Sequence, residues 1–262
     1  MRRAVCFLLA AFAFVSPRLA AAQMQPHHAE YALRLGPAVN APRIGTAVQD
    51  LTRDCSGWHL KRDITTEIAL TASWKLALAS KLDGEESSHG RAFHYRLQQT
   101  QNGNGREIGG RVERADNEMR AEIVWPSGPQ QFTLPGSTLL PISAINYMID
   151  RLRSGAGSFP ALTFDSEVIG DAFLVDVTQT DEHLRAARPD EEPIAKPPGK
   201  AWPVFMTFTR GRQQQTNPLF SVSGLVFDSG VLDRLSIDTG LVQVTADLKK
   251  LQMYPKPACP RS

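Results

Sequence analysis

Three cysteines in 262 residues are too few for a disulfide-dense small domain, and their positions narrow the choices further. Cys6 falls in an N-terminal leader, which leaves Cys55 near the start of the remaining chain and Cys259 four residues from its end. Two thiols in an exported chain most simply form one bond, and neither is then free to act as a nucleophile. Long hydrophobic runs are missing as well. The apolar stretch Ala4–Val15 has about a dozen residues, short of the roughly 20 needed to span a bilayer. Charge of one sign is equally scarce. The whole chain has 29 basic and 27 acidic residues. Without Arg2, Arg3 and Arg18 the balance is 26 against 27, a net of −1, so the footprint of a nucleic-acid binder is absent.

Catalytic and cofactor signatures are lacking too. The six histidines are scattered, and neither His27/His28 nor His89/His94 has further ligands at metal spacing, so no metal site is expected. His27-His28 reads as a solvated, frayed start. No G-x-S-x-G occurs, although serine triads can assemble without a local motif. Asp181-Glu182-His183 places acid beside imidazole, just ahead of a proline-rich stretch, and reads as a solvated loop. Gly109-Gly110 and Gly155-Ala156-Gly157 lack the strand-to-helix setting of a nucleotide fingerprint. No cofactor is expected.

What is present begins with the leader. Met1-Arg2-Arg3 precedes the apolar stretch, Ser16-Pro17-Arg18 breaks it, and Ala20-Ala21-Ala22 offers small residues for cleavage after Ala22. These features predict a signal peptide over 1–22, export to a bacterial periplasm, and a mature domain of residues 23–262 without a transmembrane span. Period-2 alternation then dominates. Tyr31, Leu33 and Leu35 share one face, as do Trp74, Leu76 and Leu78, and each set predicts a half-buried strand. Asn102-Gly103-Asn104-Gly105 separates strand-like Phe93–Gln101 from Arg106–Arg114 as a hairpin turn. Asp83-Gly84 and Asp228-Ser229-Gly230 read as further turns, and Leu219–Tyr254 as an antiparallel meander. Ile142, Ile145, Met148, Ile149 and Leu152 instead recur every three or four residues after Pro141. That spacing predicts one main packing helix over Pro141–Arg153, begun with help from Ser137 or Thr138 and stopped by Gly155. Residues 185–200, with four prolines among charges, predict a loop or mobile connector inserted in a single domain.

The order of several pieces resembles one family. His27-x-Ala29-x-Tyr31-x-Leu33-x-Leu35 opens the mature chain, Cys55-Ser56-Gly57-Trp58 follows, Gly136–Pro141 leads into the helix, and late strands end at Cys259. Together these are similar to the EipB-like cell-envelope integrity proteins of α-proteobacteria, over essentially the whole mature chain. The resemblance implies a mainly β periplasmic protein: a long curved antiparallel sheet, a β-spiral or open-barrel-like form, closed by a Cys55–Cys259 disulfide. It also implies a role in outer-membrane and envelope homeostasis without enzymatic activity.

Trp58, Trp74, Trp125 and Trp202 each neighbour strand-like residues. They line either the core or a concave apolar groove suited to an acyl chain or a partner's apolar segment. The expected function is therefore non-enzymatic binding of a lipid-like ligand or an envelope protein on a curved sheet. The alternative is a periplasmic hydrolase of envelope polymers, which requires a polar cleft holding Ser, His and Asp or two carboxylates.

Overall fold

The computed structural model describes residues 24–69, 75–168, 170–188, 194–211 and 217–259. Cys6, the cleavage site after Ala22 and Trp74 lie outside the described residues. The first arm of the fold comprises β1 (His27–Leu35), β2 (Arg43–Arg53), β3 (Gly57–Ala69), β4 (Lys75–Ser87), β5 (Ala92–Gln101), β6 (Asn104–Ala115), β7 (Glu118–Trp125) and β8 (Gly128–Pro135). Helix α1 (Pro141–Arg153) follows. The second arm is β9 (Ser158–Asp165), β10 (Asp171–Gln179), β11 (Ala201–Arg210), β12 (Phe220–Phe227), β13 (Leu232–Asp238) and β14 (Gln243–Met253).

All fourteen strands belong to one antiparallel sheet, in the order β8 through β1, then β14 back through β9. The first and last strands therefore pair at its middle, from His27↔Met253 to Leu35↔Val244. The edge strands β8 and β9 are consecutive in sequence, and α1 bridges them. The gap between the edges is not closed by a strand ladder. Among the described residues Leu139 makes the one isolated bridge there, donating its N–H to Leu162 O at 2.7 Å and accepting from Phe164 N at 2.8 Å. An all-antiparallel meander alternates its turns between two ends. Turns such as β1–β2, β5–β6 and β13–β14 form one end, the mouth. Turns such as β2–β3, together with α1, the start of β1 and the end of β14, form the other, the base.

Alternation explains most strands. Ala29, Tyr31 and Leu33 of β1 are buried on the inner face. On the outer face, cross-strand pairs such as Lys81–Asp63 at 3.4 Å and Arg96–Glu107 at 3.3 Å are solvated. Asn102 and Gly103 both adopt positive φ, and the hairpin uses only these two residues, since Asn104 already pairs with Gln101. Asp83-Gly84 is not a turn. It lies inside β4, where a Cβ on Gly84 would come within 2.8 Å of the Phe93 ring, so the glycine makes room for an aromatic. Gly110 does the same beside the Tyr95 ring. The chain start is not frayed either: His27 is fully buried, its Nδ1 is 2.8 Å from Gln25 O, and burial lowers its pKa.

Helix α1 buries Ile142, Ile149 and Leu152, the last two against Phe159, Phe173 and Trp202. Neither Ser137 nor Thr138 caps it. The Glu86 carboxylate, reaching from β4, accepts the Ile142 N–H at 2.7 Å and the Ser143 N–H at 2.9 Å, and it also takes the Ser143 hydroxyl. An acidic group at a helix N-terminus satisfies otherwise orphaned donors and complements the helix dipole. Burial still raises the Glu86 pKa, against the pull of those three bonds. At the other end Arg153 Nε donates to Asp228 Oδ1 at 2.8 Å, pinning the helix to the β12–β13 turn.

Part of the proline-rich connector is anchored rather than mobile. Arg185 and Arg188 both pair with Asp247 of β14, and Arg188 Nη2 donates to Thr245 Oγ1 at 3.0 Å. Arg188 is buried, and Ile194 packs on the cluster around Tyr31. Its lack of apolar residues is offset by charge pairing, which sequence composition does not reveal.

Cys55 and Cys259 are bonded at the base, with a Cα–Cα distance of 5.4 Å and a sequence separation of 204. Chain-entropy reasoning gives such a closure at most about 5 kcal/mol. In thermal melts, Cys55→Ser and Cys259→Ser should lower Tm by similar amounts, and the double variant should be no worse than either; additive losses would contradict a shared bond. Glu86→Ala should cost about 1–3 kcal/mol by denaturant titration, because it strands two helix N–H groups. Ser137→Ala, at an exposed position, should stay within about 0.5 kcal/mol of wild type.

Candidate functional site: an apolar cavity at the mouth

The inner face changes character from base to mouth. At the base, Phe93, Tyr95 and Phe164 form an aromatic tier with ring centroids 5.4 to 6.4 Å apart. Burial pushes the Tyr95 hydroxyl pKa well above its ordinary value. Trp58, Leu60 and Leu97 complete this packing. The concave face is filled there.

One step toward the mouth lies a polar tier. Arg62 of β3 bonds Glu167 of the β9–β10 turn and donates from Nη2 to Gln49 Oε1 at 2.9 Å. Gln99 Nε2 donates to Glu167 O at 2.9 Å. The turn from the second arm thus reaches across the barrel and docks on β3 and β5. A charge this far inside is tolerated because its partner and neutral acceptors are in place.

Above that tier the sheet is open. A cavity of about 980 Å³ is walled by Leu33, Ile44, Ala47, Ile64 and Ile68 on one arm and by Leu235, Ile237 and Val244 on the other. Its rim is polar, with Thr100, Asn102, Asn104 and Arg106 from the β5–β6 hairpin. Tyr31 closes one side, its hydroxyl donating to Leu232 O at 3.1 Å, and burial raises its pKa far above the ordinary tyrosine value. Among the described lining residues there is no histidine, cysteine or carboxylate. Ser80 is the one serine, and its buried Oγ has no hydrogen-bond partner. Among the described residues, no group of three or more His, Cys, Asp or Glu is placed to hold a metal ion. The arrangement can enclose apolar matter under a polar rim; it offers no base to activate a nucleophile.

The described tryptophans stand elsewhere. Trp58 is buried in the base, with the Arg53 guanidinium 5.1 Å from its ring centre. Trp202 is buried against α1, and Trp125 packs its ring edge on Gly170. The cavity is built instead from medium aliphatics and glutamines, whose strand alternation is ordinary and carries no distinguishing signal. His28 sits on the outer face between Asp50 and Glu30, 3.1 Å from each. His183 packs on Phe205 with ring centroids 4.2 Å apart and planes tilted by 36°, and it does not line the cavity.

Comparison with known proteins places this geometry. A family model described as EipB-like matches residues 18–255. Among curated proteins no match was found. Among solved structures, the chain is similar to a beta-barrel-like protein of the domain of unknown function DUF1849 from Brucella abortus. The two share 19% sequence identity, with a TM-score of 0.77 over 89% of this chain and 99% of that one. At that identity the likeness is one of fold. No helix among the described residues is long and apolar enough to cross a membrane.

Proposed function

Because the chain belongs to the EipB-like family, we propose that it is a non-enzymatic protein of the cell envelope that shelters the apolar part of a lipid-like molecule in its mouth cavity. The family is periplasmic, and a structural disulfide suits that oxidising compartment. The observation that carries the reading is the cavity itself. Small-molecule sites run from about 300 to 1,000 Å³ and are walled mainly by hydrophobic side chains. This one reaches the upper end of that range with aliphatic walls. An apolar hollow left to water forfeits contacts that a hydrocarbon chain would make, so filling it is favourable by roughly 25 cal/mol per Å² of apolar surface covered.

A catalytic role lacks comparable support. Hydrolysis needs a nucleophile and a base in reach of one another, and the lone lining serine has neither a base nor any hydrogen-bond partner. Envelope support by binding requires only the shape and polarity that the cavity has.

The test is extraction of lipid from protein purified from its native envelope, followed by mass spectrometry. Wild type should yield acyl species in stoichiometric amounts. Ala47→Trp, which places an indole between the Tyr31 and Ile64 positions that flank Ala47 in register, should yield almost none. Leu78→Asp, charging the exposed end of the same wall, should have the same effect at a site that cannot overpack the core. A wild type that carries no lipid and binds no added long-chain fatty acid would end the proposal.

A further inference from the structure

We infer that the molecule held in the cavity carries an anionic head group, a carboxylate or a phosphate monoester, and that Arg106 receives it at the rim. The inference rests on the lipid-binding reading above and adds the chemistry of the head. Its starting point is a charge imbalance: the lining contains two arginines, Arg62 and Arg106, and no acidic residue.

The two arginines are not equivalent. Arg62 is already neutralised by Glu167 and further held by Gln49. Arg106 has no carboxylate partner among the described residues. Its Nε and Nη2 both donate to the single oxygen Gln99 Oε1, at 2.9 and 2.6 Å. A guanidinium has five N–H donors, so three remain unengaged. Neighbouring arginines on the outer face are matched: Arg96 with Glu107, Arg111 with Glu122, Arg120 with Glu118. Glu107, next in sequence to Arg106, is spent on Arg96 across the opposite face of the strand. Of these four arginines, the one without a carboxylate is the one that lines the apolar cavity.

Gln99 fixes the direction of this guanidinium. Its amide nitrogen donates to Glu167 O, so its amide oxygen must point toward Arg106. The glutamine is therefore a positioning residue between the polar tier and the rim. An amphiphile entering tail first would lay its chain along Ile44, Ile64 and Ile237 and bring its head level with the free donors of Arg106. Charge-assisted hydrogen bonds from a guanidinium to a carboxylate or phosphate are the strong ones. Because Arg106 is exposed, solvent and salt screen the pair, so the preference is of order tenfold and falls as salt rises.

The experiment measures fluorescence binding of cis-parinaric acid and of its uncharged methyl ester to the whole mature protein and its variants. Wild type should bind the acid about tenfold more tightly than the ester at low salt, with the gap narrowing in high salt. Arg106→Gln should remove the gap by lowering acid affinity to that of the ester, whereas Arg120→Gln, on the outer face, should keep the gap. Gln99→Leu should narrow it, and Arg106→Lys should restore part of it. Competition by dodecanoate, dodecyl phosphate and dodecanol then separates the head groups: both anions should outcompete the alcohol, and their order identifies the preferred one. Equal binding of acid and ester by wild type would overturn the inference while leaving the lipid reading intact, as would a gap that survives Arg106→Gln. Failure of wild type to bind either probe would overturn both.

Discussion

The pairing of the first strand with the last is the constraint on which the rest of the molecule depends. With β1 and β14 side by side at the centre of the sheet, the two arms of the meander can only grow outward. Their outermost strands, β8 and β9, are then neighbours in sequence, so the segment joining them must cross the gap between the edges. Exposed edges invite aggregation unless covered. Here α1 and the short Leu139 bridge cover them. Glu86 and Asp228, one from each arm, hold the two ends of the helix. The base disulfide acts on the same constraint, since it ties the turn after β2 to the tail after β14 and restricts how far the central ladder can open.

Unequal strand length turns this scaffold into a container. Strands β3 and β4 have 13 residues each, whereas β7 and β8 have 8. The long strands rise beyond the level at which aromatic side chains and the Arg62–Glu167 pair fill the interior. Beyond that level the inward side chains are mainly aliphatic, with Thr66 and Ser80 among them and polar residues at the rim, and the space between the walls stays open. The base is thus close-packed and the mouth is hollow within one sheet. The ion pair between them belongs to both: it docks a turn of the second arm on the first, and through Gln99 it orients the rim arginine.

Much of this was legible in the chain. Alternation at Tyr31, Leu33 and Leu35, the Asn102-Gly103 turn, and the three-and-four spacing from Ile142 to Leu152 are local signals, and each lies where it predicts. The cysteine count and the family resemblance pointed to the Cys55–Cys259 bond. What could not be read depends on partners distant in sequence. The helix cap comes from Glu86, 56 residues before Ile142. Gly84 looked like a turn because its reason, the Phe93 ring on the next strand, is visible only in register. The proline-rich connector looked unanchored because Asp247, which holds Arg185 and Arg188, lies about 60 residues downstream. Each tryptophan neighbours strand-like residues, yet large side chains fill space, and the hollow is lined by smaller ones.

The central claim is that the mouth receives a ligand while the base serves as scaffold. Hydrogen exchange of the mature protein, with and without saturating cis-parinaric acid, tests it most directly. The account predicts slowed exchange in the mouth halves of β2 to β6 and of β13 to β14, with the Cys55 turn and α1 unchanged. Protection centred on the base or on the outer face, or no protection anywhere, would contradict it.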